Sequence, residues 1–361
     1  MGQSINSQDE SDATENDITS NIFFEGKEIG PFTGSDKDIY EYIMNHEDIA
    51  TKARQDRNSM VDIVTKETFE TDAPLLYMTQ KEIGHVCNSQ YNGKGAILCS
   101  DEATTCHVVA FRSETCLKGE RKVLASLAHI DGTDYSNCVK DIVNEHLGFH
   151  QNNYSKTNKL ELHVHIVGGF NDKDKTSVGI TTWFFRLLQE ISLAFRYDLS
   201  FIINTCVICG LNETSTESGV ESSPIVRGLA LDANSGVICP LHTVHAALHG
   251  PAKLIRRAKL WVTHTPNLVS IHSFGRDRID IAPYQLKTMK YTDIMLTLPD
   301  EVLLKYTSTS PHCEADNYCD SVRSVFTFLR DTKTEDVFED MQKCLIYCYD
   351  ESSKNWCEVQ E

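Results

Sequence analysis

The sequence predicts a mixed α+β fold. Three observations point there: apolar runs with strand-like patterning outnumber those with helical spacing, their separations are too irregular for repeated strand–helix–strand units, and no internal repeat is present. With 361 residues and 40% hydrophobic content the chain can bury a sizeable core, and residues 22–361 are expected to form one domain. A formal net charge of −18 at pH 7 disfavours nucleic acid and anionic membrane surfaces as partners, because phosphates would be repelled. No apolar run approaches the ~18 residues of a membrane span.

Residues 1–21 carry Asp9, Glu10, Asp12, Glu15 and Asp17 with no base, and read as a disordered acidic tail. Order is expected from Ile22-Phe-Phe-Glu-Gly26. Ile39, Tyr40, Ile43 and Met44 share a face at helical spacing after a Gly-Ser turn, predicting a helix from Asp36 to about His46. Pro74–Met78 reads as a strand, and Asn88–Gly95 as a Gly- and Asn-rich loop. Val139, Ile142, Val143 and Leu147 make a helical face between Tyr135 and Phe149. Leu160, Leu162, Val164 and Ile166 alternate along a strand that ends at Gly168-Gly169, a mark of close backbone approach. Thr176–Arg196 is apolar all round and reads as a buried helix. A buried strand is expected over Leu199–Gly210, and a strand pair over Pro224–Leu231 and Gly236–Cys239. A hairpin is expected around Gly275 (Leu268–Phe274 with Arg278–Ile281), then a helix over Asp320–Leu329 and a last hairpin of Cys344–Tyr349 with Asn355–Val359.

The stretch from Ala96 to Arg112 is the centre of interest. It reads as a short apolar strand, a polar turn (Ser100, Asp101, Glu102, Thr104, Thr105), and a second strand opening on Cys106. A thiol at the mouth of a strand, beside backbone N–H groups without ladder partners, is placed like a nucleophile next to an oxyanion site. In Val123–Ile130, period-2 counting puts Val123, Ala125, Leu127 and His129 on one face, so an imidazole ends an apolar row just before Asp131-Gly132. Cys106 and His129 are the candidate dyad. Thirteen cysteines and fourteen histidines make a chance pairing easy, so the pattern does not decide the matter by itself.

Other clusters have plainer readings beside the sharp ones. Cys206, Cys209, Cys239 and His242 give Cys-x2-Cys and Cys-x2-His spacings for zinc, but residues three apart on a strand face opposite sides, so buried thiols are favoured. His242, His245 and His249 are expected on one helical face, and His163 with His165 on one strand face; hydrogen-bonded histidines are commoner than ligands there. Arg256, Arg257 and Lys259 read as a solvated helix face. No metal and no cofactor are expected. With no secretory signal, thirteen cysteines read as free thiols of a reducing compartment, cytosol or nucleus, in a monomeric protein.

The segments Ser100–Val109, His129–Thr133, Leu160–His163 and Val167–Phe170 resemble the signature of the protein N-terminal asparagine amidohydrolase family. Pro224–Ala230, Ile281–Tyr284, Thr307–Pro311 and Ser324–Leu329 extend the likeness in one order from about Ile22 to the C-terminus. Residues 1–21 and a segment around 30–60 go beyond the usual family length, and the Cys206, Cys209, Cys239 and His242 sets are not family features. The resemblance implies deamidation of an N-terminal Asn to Asp with release of ammonia, feeding the N-degron route to ubiquitin-dependent degradation. It also implies a β-sandwich-like core flanked by helices, as in the chemotaxis glutamine deamidase and cytotoxic necrotizing factors, and a site of Cys106, His129 and Ser100. A Cys106–His129 ion pair is expected to favour the thiolate, with Ser100 orienting the imidazole. A carboxylate should meet the substrate α-ammonium: Asp101, Glu102 or Asp131, with turn capping an equal reading of Asp101. The partners expected are proteins or peptides with a free N-terminal Asn. The alternatives are a protein-glutamine deamidase on the same dyad, and a non-catalytic, zinc-stabilised interaction protein.

Overall fold

The computed structural model describes residues 20–117, 119–151, 159–195, 199–214, 221–263, 267–287 and 289–360. The expected acidic tail lies outside them except for Ser20 and Asn21, which are held in place. The Ser20 hydroxyl donates to the Ile29 carbonyl at 2.5 Å, and Phe201 N–H donates to the Asn21 carbonyl at 3.0 Å.

The large sheet has the order β13 (Val269–His272), β5 (Glu82–Cys87), β8 (Glu120–Ile130), β7 (His107–Leu117), β9 (Leu160–Gly168), β10 (Leu199–Ile208), β1 (Ile22–Phe24) and β2 (Lys27–Glu28). A second sheet has the order β3 (Val61–Val64), β12 (Ile238–Val244), β11 (Gly228–Asp232), β6 (Ile97–Ser100) and β4 (Leu75–Tyr77). A small antiparallel sheet joins β14 (Arg278–Ile281), β15 (Leu345–Asp350) and β16 (Asn355–Val359). The helices are α1 (Asp36–Asn45), α2 (Glu47–Asn58), the short α3 (Gln90–Gly93), α4 (Ser136–Gln151), α5 (Thr176–Phe195), α6 (Lys253–Val262), α7 (Thr292–Thr297), α8 (Asp300–Thr307), α9 (Tyr318–Asp331) and α10 (Thr334–Val337). No helix among the described residues is long and apolar enough to cross a membrane.

The two larger sheets face one another. Leu76, Met78, Leu98, Leu229 and Leu231 of one meet Val86, Val108, Ala110, Ala125, Leu127 and Val167 of the other in a single apolar layer. The opposite face of the large sheet buries Phe111, Ile166, Phe201 and Ile203 against Val139 and Ile142 of α4 and Phe184, Phe185 and Leu188 of α5. Each such fully buried side chain contributes about 1.5–3 kcal/mol relative to exposure. The outer face of the second sheet closes over Val64, Tyr77, Ile97, Cys99, Ala230 and Leu241.

Most of the expected elements are present: the α1, α4, α5 and α9 helices, the β11–β12 pair, the β9 and β10 strands and the last hairpin. The hairpin around Gly275 is not. β13 pairs in parallel with β5 in the large sheet, whereas β14 pairs with β15 in the small one. Two neighbouring apolar runs with a Gly turn read as a hairpin locally, but each strand finds its partner across a longer sequence distance.

Candidate active site

β6 leaves the second sheet at Ser100, and the large sheet takes up the chain at His107, where β7 begins. The strand–turn–strand unit is therefore present, with its two strands in different sheets. Along β6, Ile97 and Cys99 point to the outer core and Leu98 to the inter-sheet core, so alternation turns Ser100 inward. On β8, Ala125 and Leu127 face inward and Ala128 and Ile130 outward, which puts His129 on the inward face as the period-2 reading expects. Val108 is the ladder partner of His129, and Cys106, two residues earlier, packs against the same inter-sheet core. Thiol and imidazole are thus diagonal neighbours on one face of adjacent strands, the spacing at which side chains on a sheet can meet.

Ser100 is fully buried and joins the sheets. Its hydroxyl donates to the Met78 carbonyl at 2.8 Å, so it accepts from His129 Nδ1–H at 2.8 Å. That sequence of donors sets the tautomer: Nε2 keeps its lone pair. His129 is only 2% exposed, and its Nε2 has no hydrogen-bond partner among the described residues. An unpartnered buried acceptor costs about 1–3 kcal/mol, and a bare imidazole nitrogen on the face that also carries Cys106 is chemically able to accept a proton. Burial pushes the Cys106 thiol well above its ordinary range, with Asp131 and Glu314 adding to the shift, and burial pushes the His129 imidazole down. Both directions favour the neutral forms of thiol and imidazole over the expected ion pair.

The loop that presents Cys106 is clamped on every side. Ala103, Thr104 and Thr105 are buried while Cys106 is partly exposed. Ala103 N–H donates to the Arg227 carbonyl at 2.9 Å, and the Ser177 hydroxyl, in the first turn of α5, donates to the Thr105 carbonyl at 3.2 Å. The Thr105 and Thr309 hydroxyls bond at 2.9 Å. Two glycines let backbones close on the loop. A Cβ on Gly168 (φ +107°) would lie 2.5 Å from the Cys106 carbonyl oxygen, and one on Gly228 would lie 2.2 Å from that of Ser100. The N–H groups of Thr104, Thr105 and Cys106 precede the β7 ladder and so stand outside it, beside the thiol.

The three carboxylates expected at the site separate. Asp101 points away from Ser100 and is fully engaged: Tyr77 Oη–H donates to it at 2.6 Å, Thr243 at 3.0 Å and Val244 N–H at 2.6 Å. Glu102, held at φ +62°, turns to α6 and pairs with Lys253 at 3.3 Å and Arg257 at 3.1 Å. Burial opposes its charge, but those two cations hold its carboxyl below the usual range. Asp131 stays nearest the dyad, with its oxygens taken by Tyr135, by Gln80 at 2.6 Å and by Lys81 at 3.5 Å. Sequence reasoning missed Glu314, whose field reaches Cys106, and the Thr309 contact. The Thr307–Pro311 match was the available signal, but nothing local tied it to a thiol 200 residues earlier.

The remaining clusters are reassigned by their surroundings. His242 lies in β12, His245 caps a short 3-10 turn and His249 ends it, so they share no helical face. His163 and His165 hydrogen-bond to Asn204 and Thr205. Cys206 packs in the core beneath α5, Cys209 bonds to Thr181, and Cys239 faces the outer core of the other sheet, while His242 Nδ1 bonds to the Ile225 carbonyl. The four do not converge among the described residues. Arg256 is not solvated: it is 3% exposed and grips Glu82 through two bonds of 2.9 and 2.7 Å. The other two cations of that cluster also face inward contacts, Arg257 on Glu102 and Lys259 over the Tyr284 ring.

The profile of the family described as "Protein N-terminal asparagine amidohydrolase" matches residues 64–358. The chain belongs to this family of hydrolases. Curated relatives agree. A protein N-terminal asparagine amidohydrolase of Sus scrofa is 30% identical over 260 residues, covering 71% of this chain and 74% of the relative. That of Homo sapiens is 29% identical over the same length and shares. That of Mus musculus is 27% identical over 312 residues, 85% of this chain and 89% of the relative. The amidohydrolase family match takes in Ser100, Cys106, His129, Asp131 and Glu314, and leaves α1 and α2 outside it.

Proposed function

We propose that this chain hydrolyses the side-chain amide of an N-terminal Asn, giving N-terminal Asp and ammonia. The observation that carries the reading is the convergence of Cys106, His129 and Ser100, with His129 Nε2 unpartnered, in a member of this family. His129 Nε2 takes the thiol proton as Cys106 Sγ attacks the amide carbon, so the thiolate is formed during attack rather than stored. Backbone N–H groups at Thr104–Cys106 receive the developing oxyanion. The imidazolium returns its proton to the departing nitrogen, ammonia leaves, and a thioester remains. His129 then draws a proton from water, whose oxygen replaces sulfur at the carbonyl carbon, and Cys106 is restored as a thiol. Ser100 acts on the imidazole alone, holding Nδ1–H in the tautomer that these steps require.

The new N-terminal Asp is the form that the family resemblance links to arginyl transfer and ubiquitin-dependent degradation. Thirteen free thiols support a reducing, cytosolic setting. One inter-sheet core drawing on all three sheets supports a single catalytic unit, and the two facing sheets support the likeness to the chemotaxis glutamine deamidase fold. The test is ammonia release and product mass with a peptide beginning Asn, beside N-acetylated, Gln-first and internal-Asn peptides, each repeated with Cys106→Ala. Turnover of the free Asn peptide only, lost in Cys106→Ala, is expected. Turnover of the Gln-first or internal peptide instead would replace the proposal with a broader protein deamidase.

A further inference from the structure

An enzyme that acts only at a chain terminus needs a group for the α-ammonium, and each carboxylate expected for it is already in use. Asp101 is fastened to Tyr77, Thr243 and Val244, Glu102 to α6, and Asp131 to Gln80, Lys81 and Tyr135. Glu314 differs. The segment 307–314 closes over the nucleophile loop through the Thr105–Thr309 hydroxyl bond, and Tyr318 Oη–H fixes its start by donating to the Thr307 carbonyl at 2.5 Å. Phe170, two residues beyond the end of β9, packs its ring edge-on against His312. Within this segment Glu314 is half-buried and accepts from the Ser308 hydroxyl. Among the described residues no cation lies within ion-pairing distance of it.

Resting on the deamidase reading, we propose that Glu314 is the specificity residue that receives the α-ammonium of the substrate's first residue. A half-buried carboxylate with one hydroxyl partner and no cation in ion-pairing contact is completed by a cation that the ligand supplies. In Asn the α-nitrogen is separated from the reacting carbon by two carbons only, so a receptor must stand near the thiol, and the Thr105–Thr309 bond ties the segment that carries Glu314 to the residue before Cys106. Burial raises the Glu314 carboxyl, and Glu102 adds to that, while Ser308, Arg227 and Arg257 favour its charge. Its field is also one of those that hold the Cys106 thiol protonated. An ammonium seated on Glu314 offsets that contribution, which is smaller than those of burial and Asp131, as the amide arrives. An internal Asn or an acetylated terminus brings no cation to Glu314.

The test compares an Asn-first peptide with its des-amino analogue, in which hydrogen replaces the α-ammonium, on the native enzyme and on Glu314→Gln. The native enzyme should prefer the amine strongly, and Glu314→Gln should lower kcat/KM for the amine by roughly 30–1000-fold, the loss expected for truncating one partner of a buried charge pair. It should not lower the des-amino rate, and should raise it in so far as the Glu314 charge no longer opposes the thiolate, so that the preference collapses. A preference preserved in Glu314→Gln overturns the proposal, while turnover by the native enzyme still upholds the deamidase reading. Partial misfolding would lower both rates together and leave the ratio intact, so the ratio separates the two causes. Binding of the same peptides to Cys106→Ala, with and without Glu314→Gln, reads the assignment without chemistry. Amine-dependent binding lost with Glu314 supports it even where no peptide is turned over, and equal binding by both proteins overturns it.

Discussion

At the scale of single residues, the site works by leaving one atom unsatisfied. Every polar atom of Ser100 and one nitrogen of His129 are committed, and the remaining nitrogen is held bare on the face that carries the partly exposed Cys106. Ser100→Ala should leave His129 Nδ1–H without its acceptor, at about 1–3 kcal/mol, or roughly 10–100-fold in kcat. KM should change little, since Ser100 does not touch substrate; steady-state kinetics on an Asn-first peptide check the split. The acid limb of kcat/KM should fall below the ordinary imidazole value near 6.5, because burial lowers His129 and protonation of Nε2 removes the base. A pH profile with its acid limb above that value would show that the resting imidazole is charged.

At the scale of elements, the nucleophile loop is held by contacts that only glycine permits. Gly168→Ala and Gly228→Ala place a methyl 2.5 and 2.2 Å from the carbonyl oxygens of Cys106 and Ser100. Both should lower stability by about 1–3 kcal/mol and reduce activity further by moving the loop. Gly148→Ala is the control: it lies in α4 with open space around it, and should be neutral or stabilising by about 0.4–1 kcal/mol. Thermal melts of the three variants, paired with activity at 25 °C, separate the two effects. Gly168 was legible in the sequence as a point of close approach, since a Gly-Gly pair after an alternating strand has few other uses. Gly228 was not, because its neighbours across the fold come from 128 residues earlier.

The same division runs through the elements. Period-2 and period-3.6 patterning placed His129 on the inward face, and placed α4, α5 and α9, because their burial is set by neighbours on their own element. The β13–β14 pairing, the burial of Arg256 and the position of Glu314 depend on segments distant in sequence, and no local pattern carries them. Arg256 shows the physics: a helix with three cations reads as solvated until Glu82, 174 residues earlier, is brought under it.

At the scale of the whole molecule, the core is rich in neutral histidine. Burial lowers His85, His249 and His272 to about 4, and His107 and His165 to about 3. The unfolded chain binds protons near pH 6.5 and the folded chain does not, so stability is full above that pH and falls as pH drops towards 4 and below. Each of these groups contributes on the order of 1 kcal/mol or more across that window. Urea unfolding midpoints measured from pH 7.5 down to 4.5 should hold to about pH 6.5 and decline below it, and a flat profile would show that these rings are protonated in the native state.

The crossing of the nucleophile loop between sheets has a further consequence. The hydroxyl that sets the tautomer belongs to one sheet, and the thiol and imidazole to the other, so the proposed reaction depends on the distance and shear between two layers of the core. Chemistry here is a vernier laid across the sandwich: a slip too small to open the fold is enough to part Ser100 from His129, and the enzyme falls silent while the protein still stands.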